Sequence, residues 1–245
     1  MIPEQRRRDI LAMIKAHKSV TVAFLSKELY ISPATARRDL AELQKDGMIQ
    51  RSHGGAVIIE SIGDESSRSV RELEHRKEKR CIAALGRELL HPNDAIFMDS
   101  SSTVGTIAPM LAGFSSLSVI TSGLKNAMLL SQYTSAKIYL PGGALNNTSN
   151  SMTGSDTCAF ILQVNADIAL LSCGAVNLSG AVTEVSLEQS QIKRAMLKNS
   201  KTHILLCDSS KLGGTLLSKT CGLEAFDYLV TNQRLSKEFM ALAQA

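Results

Sequence analysis

A chain of 245 residues with 44% hydrophobic and 20% charged residues has the length of one large domain or two unequal ones, and enough apolar material for a core. Aromatic residues make up 4% and Trp is absent, which argues against a base-stacking surface for RNA or single strands. The net charge of +4 is unevenly placed: residues 1–53 hold ten Lys/Arg against six Asp/Glu, and the remainder holds seventeen of each. A basic head on a neutral body is the distribution of a polyanion-binding module joined to a separate regulatory or catalytic domain. No apolar run approaches the ~20 residues of a membrane span. Arg6-Arg7-Arg8 is not followed by the apolar segment of a secretion signal, so a cytoplasmic protein without a membrane partner is expected. The five cysteines (81, 158, 173, 207, 221) contain no CxxC pair and are expected as buried, reduced thiols; no metal site is expected.

In chain order, residues 4–17 have helical periodicity, with Ile10, Leu11 and Ile14 inward and Arg6, Arg7 and Lys15 outward. Ser19-Val20-Thr21 favours a short strand, and Thr21 can cap a second helix that carries Phe24, Leu25 and Leu29 on one side. Tyr30-Ile31 forms a turn. Ser32 then caps a third helix with Pro33 in its first position, and Gly47 suits its end. Ala36, Leu40 and Leu43 share one face of that helix, leaving Thr35, Arg37 and Arg38 to point elsewhere. Met48 to Arg51 and Ala56 to Ile59 are predicted strands around the turn Ser52-His53-Gly54-Gly55.

Three helices followed by a β-hairpin predict a winged helix-turn-helix. The run Ser32-x-x-Thr35-x-Arg37-Arg38-Asp39-Leu40, followed by Asp46-Gly47 and His53-Gly54-Gly55-Ala56, resembles the N-terminal domain of the DeoR family of bacterial transcriptional regulators over about Pro3 to Val57. Ala36 departs from that pattern, where a branched apolar residue is commoner. The resemblance implies operator DNA as a partner. Arg37 or Arg38 can form a bidentate pair with a guanine edge while the other grips phosphate. Ser32 and Thr35 can donate to phosphate or a base edge, and Arg51 and His53 on the wing suit backbone or minor-groove contact. Asp39 would be repelled by phosphate and is expected to pair with an arginine of the same chain.

Residues 60–74 have a polar, Ser-rich linker composition, so the expected domains are 1–59, a linker over 60–74, and 75–245. A mixed-charge run from Arg71 leads into Ile82, Leu85 and Leu89 at helical spacing. Arg71 and Lys79 match basic family positions, and either can reach a bound phosphate. From Asp94 onward strands and helices alternate. Predicted strands lie at 95–98, 117–120, 137–140, 167–171, 203–207 and 228–230, and helices run through Leu111, near 125–131 and over 187–198. This pattern predicts a mostly parallel, Rossmann-like sheet covered on both faces.

Ligands of such sheets bind where loops leave the carboxyl ends of strands. Those loops are Asp99-Ser100-Ser101-Ser102-Thr103, Thr121-Ser122-Gly123, Gly142-Gly143, Cys173-Gly174 and Asp208-Ser209-Ser210-Lys211. Hydroxyls and free N–H groups at a helix start form an anion site. There is no dinucleotide fingerprint and no Walker loop, so no cofactor is expected. The body, about Arg71 to Asn232, resembles the effector domain of the same family, which is related to ribose-5-phosphate isomerase. The matching pieces include Gly154, Gly180, and Glu188 with Lys193; Ser122 stands where family members commonly have Asn. The resemblance implies a phosphorylated sugar as effector, held by Asp99, Ser101, Ser102, Thr103, Thr121, Ser122, Gly142, Gly143, Gly174 and Lys211. The expected function is a repressor of carbohydrate uptake or catabolism genes, acting as a dimer or tetramer. The alternative is a sugar-phosphate isomerase with a DNA-binding appendage. Asp99, Glu184 and Asp208 are its candidate bases, but the 174–180 stretch lacks acidic residues that the related isomerase uses.

Overall fold

The structure is a computed structural model that describes residues 2–17, 19–46, 48–52, 54–58 and 68–242. The chain divides into two compact units, Met1–Glu74 and His75–Ala245.

The first unit runs α1 (Pro3–His17), β1 (Ser19–Thr21), α2 (Val22–Glu28), α3 (Pro33–Lys45), β2 (Ile49–Ser52), β3 (Gly55–Ile58) and α4 (Arg68–Leu73). Both internal helices start as their hydroxyls dictate: Thr21 Oγ1 accepts from the Phe24 N–H and Ser32 Oγ from the Thr35 N–H, each at 3.1 Å. Ile10, Ile14, Leu25, Ala36, Leu40 and Leu43 close one core. Each large aliphatic side chain in it contributes about 1.5–3 kcal/mol by leaving water. The hairpin gains a third strand, in the order β1-β3-β2, with Thr21 opposite Gly55. Gly55 is required there, because a Cβ would collide with the Val20 carbonyl.

Two expectations change in this unit. Arg6 is not an outward-pointing residue but turns inward to Asp39. Six residues near the end of the expected linker are helical: α4 is held by an Arg68–Glu72 ion pair at 3.0 Å, one helical turn apart, and by Leu73 packing on the core. Residues 59–67, including most of that linker, lie outside the described residues, as does His53.

The second unit opens with α5 (Arg76–Arg87). It continues through β4 (Ala95–Met98), α6 (Ser102–Gly105), β5 (Ser118–Thr121), α7 (Leu124–Tyr133), β6 (Lys137–Tyr139), β7 (Ala144–Asn146), β8 (Ser151–Thr153), α8 (Ser155–Leu162) and β9 (Ala166–Ser172). Then follow β10 (Ala175–Val176), β11 (Ala181–Glu184), α9 (Leu187–Lys198), β12 (Ser200–Leu206), β13 (Ser218–Gly222), β14 (Tyr228–Val230) and α10 (Lys237–Leu242). Six strands form one parallel sheet in the order β14-β12-β9-β4-β5-β6. The period-two alternation of strands divides its residues between two layers. Ile96, Met98, Val119, Leu170 and Leu206 pack with Ile82 of α5, Val104 and Leu130. Phe97, Ile120, Ala169 and Leu171 pack with Ile161 of α8 and Ile192 and Met196 of α9. A small antiparallel sheet, β10-β11-β13, and the β7–β8 hairpin were not anticipated from sequence.

Three further differences have local causes. The helix expected through Leu111 is split into α6 and a 3-10 turn, Ala108–Leu111, at Pro109, whose ring disfavours α geometry in the residue before it. Leu85 is 51% exposed; Ala83 and Gly86 join Ile82 on the buried face of α5 instead. Only Cys173 and Cys207 are buried, Cys81 is exposed, and all five cysteines are free thiols.

Candidate nucleic-acid interface and effector site

On α3 the apolar face fixes which side chains remain outside. Ala36, Asp39, Leu40 and Leu43 are buried, while Arg37 and Arg38 are exposed. Asp39 accepts from the guanidinium of Arg6, an Arg of the same chain as expected, so its charge is neutralised beneath the helix. Ser32 and Thr35 share a hydroxyl–hydroxyl bond of 2.9 Å at the helix start, and Ser32 is exposed. Arg51 is exposed on β2 of the wing. A cationic helix face beside a cationic hairpin is the chemistry of a double-strand reader.

In the second unit, all loops that follow the parallel strands emerge at one edge of the sheet. The chain proceeds from β4 toward β6 on one side and from β9 toward β14 on the other, so the β4/β9 boundary is a topological switch point. Asp99 stands there, 1% exposed. Its Oδ1 accepts from the Ser101 N–H at 2.9 Å and its Oδ2 from the Ser172 N–H at 2.8 Å. Lys193 of α9 lies 3.0 Å from Asp99 Oδ2, donates to the Ser172 carbonyl at 2.6 Å and pairs with Glu184. Burial opposes ionisation of Asp99, but Lys193 and the Ser101 and Ser172 donors outweigh it and hold the carboxyl below its ordinary range. Burial likewise disfavours the Lys193 ammonium, and Asp99 and Glu184 reverse that, raising its pKa. The partner of Lys193 is therefore Glu184, not Glu188, which is exposed and bonded to Ser186.

Around this triad the expected loops divide in two. On one side Lys211 Nζ meets Ser172 Oγ at 3.0 Å, Thr103 Oγ1 at 3.4 Å and Asp208 Oδ2 at 3.7 Å, while Lys79 of α5 donates to Ser102 Oγ at 3.1 Å. On the other side Gln189 of α9 accepts from Ser100 Oγ at 3.1 Å and donates to Ser151 Oγ at 2.6 Å. Ser101 caps α6, and Asn126 ties the loop down through the Asp99 carbonyl at 2.7 Å. Thr121 Oγ1 accepts from the Gly123 N–H at 3.1 Å. Gly123 packs so tightly on Ser100 that a Cβ would come within 2.8 Å of its Cα. The Ser122 hydroxyl is fully buried without a hydrogen-bond partner, as is Asp208 Oδ2.

Gly174 sits beside Glu184 and Leu216. Gly142 and Gly143 are exposed, and their contacts run to Thr153 and Thr157 rather than to the Asp99 cluster. Sequence reasoning missed Asn126, Ser151, Ser172 and Gln189. A separate cavity of about 340 Å3 between α8 and α9 is lined by none of the site residues.

Fold and sites together define a winged-helix DNA reader joined to a small-molecule sensor, the class of ligand-responsive transcriptional regulators. Residues 6–62 match the DeoR-like helix-turn-helix domain and residues 74–233 the DeoR C terminal sensor domain. The chain belongs to the DeoR family. It is 31% identical to the HTH-type transcriptional repressor GlcR of Bacillus subtilis (strain 168), over 99% of this chain and 93% of the relative. It is 28% identical to the glycerol-3-phosphate regulon repressor of Escherichia coli (strain K12), over 93% of this chain and 90% of the relative. Among solved structures it resembles ribose 5-phosphate isomerase A of Methanocaldococcus jannaschii, with 16% identity, a TM-score of 0.42, and coverage of 57% of this chain and 55% of that one. The chain is a DNA-binding transcriptional regulator rather than an isomerase. No helix among the described residues is long and apolar enough to cross a membrane.

Proposed function

We propose that this regulator represses genes of carbohydrate uptake or catabolism from the cytoplasm and is released from its operator by a phosphorylated sugar. The single observation that carries the effector reading is the convergence of Lys211 on the hydroxyls of Ser172 and Thr103 at the carboxyl edge of the sheet. An ammonium set among hydroxyls is the donor set a phosphate ester requires. Ser101, Ser102, Thr121, Ser122 and Gly174 complete the proposed site. Asp99 acts by orienting the loop through Ser101 rather than by touching ligand. The relatives named as repressors, one of them of a glycerol-3-phosphate regulon, support the same reading.

On the output side Arg37, Arg38, Ser32, Thr35, Arg51 and His53 are the proposed DNA contacts. A single recognition helix reads few bases, so two heads on a symmetric operator are needed, and the protein acts as a dimer or tetramer. Release is linkage: the effector favours a body state whose paired heads no longer fit the operator, by as much as its affinity differs between states.

The test is a thermal-shift panel of ribose 5-phosphate, glucose 6-phosphate, fructose 6-phosphate and glycerol 3-phosphate, each beside its unphosphorylated form. A true effector at 100 times its Kd stabilises by about 2.7 kcal/mol. It also releases the full-length protein from a duplex selected out of a random library. Equal response to the unphosphorylated compounds would refute the phosphate reading.

A further inference from the structure

We infer that Tyr30, in the turn between α2 and α3, is a sequence-independent DNA contact whose phenol donates to a backbone phosphate beside the groove that α3 enters; this rests on α3 as the DNA-reading helix proposed above.

The turn that ends α2 fixes the backbone of Tyr30. The Leu29 N–H donates to the Leu25 carbonyl at 3.0 Å, and the Ile31 N–H reaches back five residues to the Ser26 carbonyl at 3.1 Å. That second bond closes a helix end over a left-handed residue, and Tyr30 has a φ of 52°. Glycine is the usual occupant of such a position and Asn an occasional one, because a Cβ there is crowded by the backbone. A bulky side chain at positive φ is an outlier.

No packing within the unit offsets that strain. Tyr30 is 95% exposed, while Leu29 and Ile31 on either side of it both pack on the first core. The turn is anchored by its two aliphatic neighbours and the aromatic ring is held out in water. Stability alone would favour glycine here, so the use of the side chain lies in what it meets outside the unit. Its place in the chain names that partner. Tyr30 stands two positions before Ser32, the cap of the helix that exposes Arg37 and Arg38. The N-terminal end of a recognition helix is the end that approaches the base edges, so the residue just before it is set at the rim of the groove, which phosphates line. Tyrosine is among the side chains that hydrogen-bond phosphate oxygens, through a phenolic O–H donor. Being uncharged, it adds grip without neutralising a phosphate.

The experiment measures the Kd of the full-length chain for a duplex selected from a random library, and for single-position variants of it, at several salt concentrations. Tyr30→Phe removes only the hydroxyl. It should weaken every duplex by the same factor of about three- to tenfold. The slope of log Kd against log salt should stay that of the wild type, because no charge that displaces counterions has been lost. Tyr30→Gly should lose at least as much affinity, while the amides of α2 and α3 exchange with solvent no faster than in the wild type, since glycine fits the left-handed turn. Wild-type affinity in Tyr30→Phe overturns the inference, as does a loss confined to one operator position. Faster exchange in Tyr30→Gly also overturns it, because the ring would then be serving the fold. If replacing Arg37 and Arg38 together by Ala leaves binding intact, the reading of α3 fails and this inference falls with it; if that double variant loses binding and Tyr30→Phe does not, only the role of Tyr30 is refuted.

Discussion

Arg6 of α1 is ion-paired with Asp39 on the buried face of α3, with side-chain exposures of 14% and 5%. An acidic residue next to Arg38 in a DNA-facing helix would ordinarily weaken phosphate binding. Here its charge is spent on holding two helices together. Asp39→Ala should therefore destabilise the first unit by about 2–4 kcal/mol, because it leaves a guanidinium in a poorly solvated position. Thermal unfolding of the isolated variant checks this, and a double-mutant cycle with Arg6→Ala should recover part of the loss.

Arg37 and Arg38 are adjacent, exposed and equivalent by composition, but they cannot both face the same groove atom. Substituting the base reader with Ala should cost about 1–3 kcal/mol and relax preference at one operator position. Substituting the phosphate contact should weaken all sequences evenly and reduce the salt dependence of binding by about one unit of slope. Binding selections at two salt concentrations, run on both variants, assign the roles.

Lys211→Ala removes the ammonium that joins Ser172, Thr103 and Asp208. Operator binding should persist, while the effector response falls by about tenfold or more, the worth of one charge-assisted contact. A normal dose–response curve in this variant would remove Lys211 from the site.

The Asp99–Lys193–Glu184 cluster predicts a defined pH response. The Asp99 carboxyl is held below its ordinary value, so its contribution is complete above about pH 3.9 and is lost as pH falls through the lower, folded value. The Lys193 pKa is raised, so its contribution is complete below about pH 10.4 and is lost only as pH rises through the folded value. Lys193→Met should destabilise the second unit by about 3–5 kcal/mol at neutral pH by leaving buried carboxylates unpaired. That loss should shrink as pH falls and Asp99 takes up a proton, because the neutral carboxyl needs no charged partner; unfolding followed by circular dichroism at several pH values would detect it.

Ser122 carries a buried hydroxyl without a partner. Ser122→Ala should leave the ligand-free protein unchanged or stabilise it by up to about 1–3 kcal/mol, since an unsatisfied group is removed. The same variant should weaken the effector. Opposite signs in the two measurements would identify the hydroxyl as a ligand contact.

Features that depend on neighbours in sequence were legible before the fold was known. The Thr21 and Ser32 caps, the buried Ala36-Leu40-Leu43 face, α9 at Leu187–Lys198 and β14 at Tyr228–Val230 all follow from local periodicity and capping chemistry. The five loops at one sheet edge followed from strand–helix alternation alone. What was not legible is pairing across distance. Gln189 reaches Ser100 over 89 positions, and Lys193 finds Glu184 on another element, with no spacing rule to announce either. Leu85 was misassigned because helical periodicity locates a stripe only to within a residue or so, and the small Ala83 and Gly86 fit closer to the sheet. The role of Arg6 was missed for the converse reason: three consecutive arginines look alike until a carboxylate selects one.

The separate cores of the two units have a further consequence. Among the described residues, the apolar cluster built on Ile10, Leu25 and Leu40 shares no member with those built on Ile96 or Phe97. Each core is closed by residues of its own unit, so the apolar packing that holds α3 in shape and the packing that holds the sheet in shape draw on different stretches of the sequence. A change that loosens one core, such as Leu40→Ala in α3, therefore removes apolar contacts from that cluster alone and none from the clusters built on Ile96 and Phe97.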